Sequence, residues 1–61
     1  MENYDNEIRE AKTNTLKRIE SYNNLMVANR LCDNNELVVL FKGFRNDEIK
    51  WLKKLEQWDK N

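Results

Sequence analysis

The sequence predicts an all-α fold, an antiparallel hairpin of two long helices, and three observations carry that prediction. Across 61 residues there is no proline and one glycine, Gly43, so the punctuation of a β protein is missing. Apolar residues recur at spacings of three and four along two long stretches. Between those stretches lies a polar break, Cys32-Asp33-Asn34-Asn35. The expected organisation is one small helical domain over 1–61, with a helix from about 4 to 31, a turn at 32–35 and a helix from about 34 to 59.

In the first helix Tyr4, Ile8, Ala11, Thr15, Ile19, Tyr22 and Met26 fall on one stripe, spaced as in a straight 3.6-residue helix. Leu16 and Leu25 are expected to widen its buried face. Glu2, Asp5, Glu7 and Glu10 crowd the first turns, where the helix dipole favours negative charge, and Asp5 with Arg9 forms an i,i+4 pair. Asn14, Asn23, Asn24, Thr13 and Thr15 are weak helix formers, so this helix must draw most of its stability from packing. Asp33, three places before Glu36, reads as the capping box that starts the second helix.

The second helix carries the larger apolar residues: Leu37, Phe41, Phe44, Trp51, Leu55 and Trp58 step by fours and threes, as in a coiled-coil seam, with Glu48 breaking the row. Leu37-Val38-Val39-Leu40-Phe41 has the composition of a short buried strand, but no second strand-like run exists to pair with it. Gly43 either ends a short helix, giving three in all, or sits inside one long helix at a cost of about 1 kcal/mol relative to alanine. The apolar phase continues from Phe44 to Trp51, which favours one helix.

A chain this small sits near the limit of what one core can stabilise. Ordering it costs roughly 90 kcal/mol at about 1.5 kcal/mol per residue. Burying ~60% of the ~10,700 Å² exposed by a 7.4 kDa unfolded chain, ~3,800 Å² of it apolar, returns ~95 kcal/mol at ~25 cal/mol/Å². The terms nearly cancel, so further burial against a partner is expected. A single cysteine, Cys32, forbids an intrachain disulfide and suits a reducing compartment, and the chain has no histidine to anchor zinc or act as a base. Self-association, most simply a homodimer with a four-helix core, or another protein is the remaining source.

The composition also bounds function. Eleven acidic and eleven basic residues cancel, and each half of the chain is balanced, without the basic excess of a typical nucleic-acid binder. No apolar run is long enough for a membrane span, and the polar start of the chain does not read as a signal peptide, so a cytoplasmic protein is expected. No catalytic constellation, cofactor motif or metal-ligand spacing is present, and Ser21, the one serine, has no histidine to activate it. The chain reads as a non-catalytic protein-interaction module, a regulator, inhibitor or adaptor, with an interface drawn from Val38, Val39, Phe41, Phe44, Trp51 and Trp58. Val38, Val39 and Leu40 cannot all face the seam of Leu37 and Phe41, because consecutive residues turn by about 100° around a helix. Apolar surface is therefore expected on a flank. The competing reading is nucleic-acid contact through Arg45, Lys50, Lys53 and Lys54 beside stacking tryptophans.

Thr15-Leu16-Lys17-Arg18-Ile19-Glu20, then Asp33, Asn35-Glu36-Leu37 and the closing Leu55…Trp58-Asp59-Lys60 resemble the small Hha/YmoA nucleoid-associated regulators, across about two-thirds of the chain and with one gap. That resemblance implies an all-helical cytoplasmic protein that modulates gene expression by binding a nucleoid-structuring partner. The family's Asp-His-Arg segment has no counterpart here, Arg45-Asn46-Asp47 standing nearest to it, and no binding residue is carried over.

Overall fold

In a computed structural model, described here for residues 4–59 with Asp59 by its backbone alone, two helices pack side by side in antiparallel order. Glu2 and Lys60 of the sequence reading lie outside the described residues. Helix α1 spans Asp5–Leu31 and helix α2 spans Asn35–Asp59, and no strand occurs among the described residues. The hairpin is a rod of 52 × 14 × 11 Å with a radius of gyration of 14.5 Å. A compact globule of 61 residues would have a radius of gyration near ~10.5 Å.

Helix α1 begins behind Tyr4, whose carbonyl accepts from the Ile8 N–H at 2.9 Å; the Tyr4 side chain makes no capping bond. Asp5 and Glu7 in its first turn and Arg30 in its last complement the helix dipole. Its end corrects the expected capping box. Asp33 has φ of 61°, the left-handed conformation, and donates its N–H to the Arg30 carbonyl, while the Asn34 N–H bonds to the Asn29 carbonyl at 2.8 Å. That pair of bonds is a Schellman motif, with aspartate where glycine is usual. Asp33 therefore closes α1 instead of opening α2. Asn34 starts α2, its carbonyl accepting from Leu37 and Val38, both at 3.1 Å. The Asn34 side chain reaches back to Asn29 Oδ1, and Asn29 Nδ2 donates to the Leu25 carbonyl, which ties the turn to the last part of α1.

Helix α2 runs through Gly43 without a break. A Cβ built there meets nothing within 4 Å, and its φ is not positive, so neither crowding nor an unusual backbone requires glycine at this position.

The α1 face of the seam follows the expected stripe from Ile8 through Ala11, Thr15, Ile19 and Tyr22 to Met26. Tyr4, Leu16 and Leu25 depart from expectation and stand exposed. The core is small: among the described residues Met26 at 6% and Leu55 at 3% exposure are the buried apolar ones, and Thr15, at 0%, marks the closest packing. A small residue there lets the helices approach. Thr15 satisfies its own hydroxyl by donating to the Ala11 carbonyl one turn back at 2.7 Å.

Candidate protein-interaction face

Helix α2 turns a different stripe toward α1 than its largest residues suggest. The positions withdrawn from solvent are Val38, Phe41, Arg45, Glu48, Leu52 and Leu55, with Ile49 at their edge. These step by threes and fours, an unbroken heptad seam. The expected stripe shares Phe41 and Leu55 with it, and also the Glu48 that breaks the expected row, and is otherwise rotated outward. Leu37, Phe44 and Trp51 are about two-fifths exposed, and Trp58 is 63% exposed.

Polar groups occupy the middle of the seam. Arg18 Nε donates to Glu48 Oε1 at 2.9 Å across the helices, and Arg18 Nη2 donates to Thr15 Oγ1. Arg45 Nη1 donates to Asn23 Oδ1 at 3.0 Å, while its Nε is buried without an acceptor. Glu48 thus breaks the apolar row because it faces a cation on α1. The Arg18–Glu48 pair remains partly open to water and contributes little alone, at most about 1 kcal/mol.

Beside this seam the large apolar side chains form one flank of the rod. Tyr22 stacks with Phe41 at a centroid distance of 6.1 Å and leans on Phe44 at 5.7 Å, and Phe41 meets Phe44 edge-on at 6.3 Å. Toward the chain ends, Trp51, Leu55 and Trp58 of α2 and Tyr4, Ile8 and Ala11 of α1 line a groove of about 480 Å³, with Glu7 at its rim. The groove exists because Ala11 is small where Trp51 and Trp58 are large, and the helices alone do not fill the gap.

The residues expected to form an interface are thus distributed. Phe44, Trp51 and Trp58 share the exposed flank; Val38 and Phe41 are half-buried toward α1; and Val39 lies on the outer side of α2, well exposed. Leu40 and Leu37, next to Phe44 on the same flank, and Tyr4 and Ala11 from α1 complete the face. Their i, i+3, i+4, i+7 spacing was visible in the sequence; which stripe faced outward was not. Of the basic candidates, Lys50, Lys53 and Lys54 are exposed, and Lys54 shares a shallow recess with Trp51 and Trp58. Arg45 is apart from them in the seam, committed to Asn23 and Asn46. Cys32 is exposed at the turn.

Among the described residues no three histidine, cysteine, aspartate or glutamate side chains converge as metal ligands would, and no helix is long and apolar enough to cross a membrane. No protein-family model, curated protein or solved structure matches this chain.

Proposed function

We propose that this hairpin is a non-catalytic protein-interaction module, a small regulator, inhibitor or adaptor acting in the cytoplasm, and that its working surface is the aromatic flank of α2. The observation that carries the reading is the imbalance between core and surface. Among the described residues two apolar side chains, Met26 and Leu55, are buried, while Leu37, Leu40, Phe44, Trp51 and Trp58 are exposed along one flank of α2, with Glu48 between Phe44 and Trp51. Contiguous apolar patches of this kind mark docking sites on small soluble proteins, and tryptophan at the centre of a patch is the usual energetic anchor. The spacing suits a helix laid along the flank, with large side chains one or two helical turns apart. The lone exposed thiol of Cys32 is compatible with a reducing compartment.

The test is affinity capture from the cells that make the protein, comparing the wild-type chain with a Phe44→Glu chain. Proteins retained by the wild type and lost from the variant are expected. An identical set from both chains overturns the reading.

A further inference from the structure

We infer that the first occupant of this flank is a second copy of the same chain, packed so that α2 of each hairpin lies on α1 of the other around a two-fold axis parallel to the helices. The inference rests on the interaction-face reading above and names its partner.

Area is the first argument. The hairpin exposes 4986 Å², whereas a folded monomer of 7.4 kDa exposes about 4,200 Å². The excess, about 800 Å², is the area that one partner contributes to a standard-sized interface. Thickening the rod in its thin direction is the economical way to remove that excess, since the molecule is 52 Å long and only 14 × 11 Å across.

Charge is the second argument, and it selects both the partner and the axis. The face has its one ion pair between described side chains, Arg18–Glu48, near the middle of the apolar row, flanked by Phe44 on one side and Trp51 on the other. The bond uses Nε and Oε1, so Nη1 of Arg18 and Oε2 of Glu48 are left for a second pairing. A two-fold axis parallel to the helices at this level sets Arg18 of one copy against Glu48 of the next, and the four charges then alternate around a ring. An axis perpendicular to the helices sets α2 on α2 instead and places the two Glu48 carboxylates directly opposite each other, where like charges repel. A chain of zero net charge pays no long-range repulsion for pairing with itself.

Shape agrees with the same axis. Arg18 opposite Glu48 and Tyr22 beside Phe44 set the register of the hairpin. In that register the partner's Trp58 comes level with Ile8, at the end of the face where the hairpin leaves its groove open, and the partner's Trp51 comes level with Thr15. At the other end Leu25 of one copy meets Leu40 of the other, both exposed in the hairpin. Packing α1 on α1 would instead set its polar residues Asn14 and Ser21 against each other and crowd the aromatics of the two α2 helices.

Light scattering coupled to gel filtration over a dilution series tests the pairing, with the charge variants as its internal check. The wild-type chain is expected at twice its 7.4 kDa mass. Arg18→Glu and Glu48→Arg should each fall to the single-chain mass, and an equimolar mixture of the two should return to the double mass. Recovery on mixing holds even where each variant alone is poorly folded. In Cys32→Ser chains, a Leu25→Cys chain mixed with a Leu40→Cys chain should form a mixed disulfide under mild oxidation. A wild-type chain at single mass overturns the inference while leaving the capture experiment above to decide the module reading on its own. A double-mass wild type that gives no mixed disulfide, or whose charge variants do not recover on mixing, overturns the α2-on-α1 arrangement. A dimer whose capture set is unchanged by Phe44→Glu sinks the module reading instead.

Discussion

Replacing Gly43 by alanine should make this protein more stable. Gly43 lies in the interior of α2, where glycine costs about 1 kcal/mol relative to alanine because its unfolded chain has more freedom to lose. The added methyl would meet nothing within 4 Å, and the backbone there is ordinary right-handed helix, so no steric penalty offsets the gain. With an unfolding entropy of about 2.1 cal/mol/K per residue, a 61-residue chain has ~130 cal/mol/K, and ~1 kcal/mol corresponds to a rise of ~8 °C in Tm. Thermal melts by far-ultraviolet circular dichroism, at one fixed protein concentration because association would shift the midpoint, read this directly. Gly43→Pro is the matched control: in a continuous helix it removes a hydrogen bond and clashes with the preceding turn, a loss of about 3 kcal/mol or more. An alanine chain that melts at or below the wild type, or a proline chain that melts with it, would mean that α2 is broken or tightly approached at Gly43.

Three further substitutions probe the turn, the core and the polar seam. Asp33→Gly should raise the urea midpoint by the equivalent of about 1 kcal/mol with an unchanged slope, since φ of 61° at the end of α1 is strained for aspartate and natural for glycine; a lower midpoint would reject the left-handed cap. Leu55→Ala should cost about 2–5 kcal/mol and leave little folded protein, whereas Leu16→Ala, at a position 52% exposed, should stay within about 0.5 kcal/mol; the opposite order in chemical denaturation would mean that the helices face each other differently. Arg45→Met keeps the apolar stem and removes a buried Nε that has no acceptor, so its stability should match or exceed the wild type by up to about 1 kcal/mol; a loss larger than that would show the Asn23 hydrogen bond to outweigh the burial.

The hairpin itself was legible from residue types because its signals are local and redundant. A 3.6-residue periodicity over more than twenty positions, without proline, leaves few alternatives, and the α1 stripe from Ile8 to Met26 is the one that packs. The turn was placed correctly but its chemistry was misassigned. Asp33 precedes Glu36 by three, as a capping box requires, yet the same residue can adopt the left-handed conformation that ends a helix. In a connection this short one residue cannot serve both ends. The hydrogen bonds from Asp33 and Asn34 back to Arg30 and Asn29 close α1, and capping of α2 passes to Asn34.

The exposed apolar flank was half legible, and the missing half follows from the geometry of heptads. Two overlapping stripes run along α2. One comprises Leu37, Phe41, Phe44, Glu48, Trp51, Leu55 and Trp58; the other comprises Val38, Phe41, Arg45, Glu48, Leu52 and Leu55. They share Phe41, Glu48 and Leu55 and differ by a modest rotation of the helix, so periodicity cannot choose between them. Apolar content favours the first, yet the hairpin buries the second. That choice matches α1, whose Arg18 and Asn23 supply an acid-binding cation and an amide acceptor at the levels of Glu48 and Arg45. Facing the first stripe inward would leave Arg45 without Asn23, and its bulky tryptophans would hold the helices apart at Thr15 and Ala11. The helix is thus amphipathic in two directions at once: a mixed polar seam that specifies its partner helix within the chain, and an aromatic row too wide for that helix to cover. Such a division is wasteful for a hairpin that stays alone. It is economical for one whose second face is completed by another helix pair.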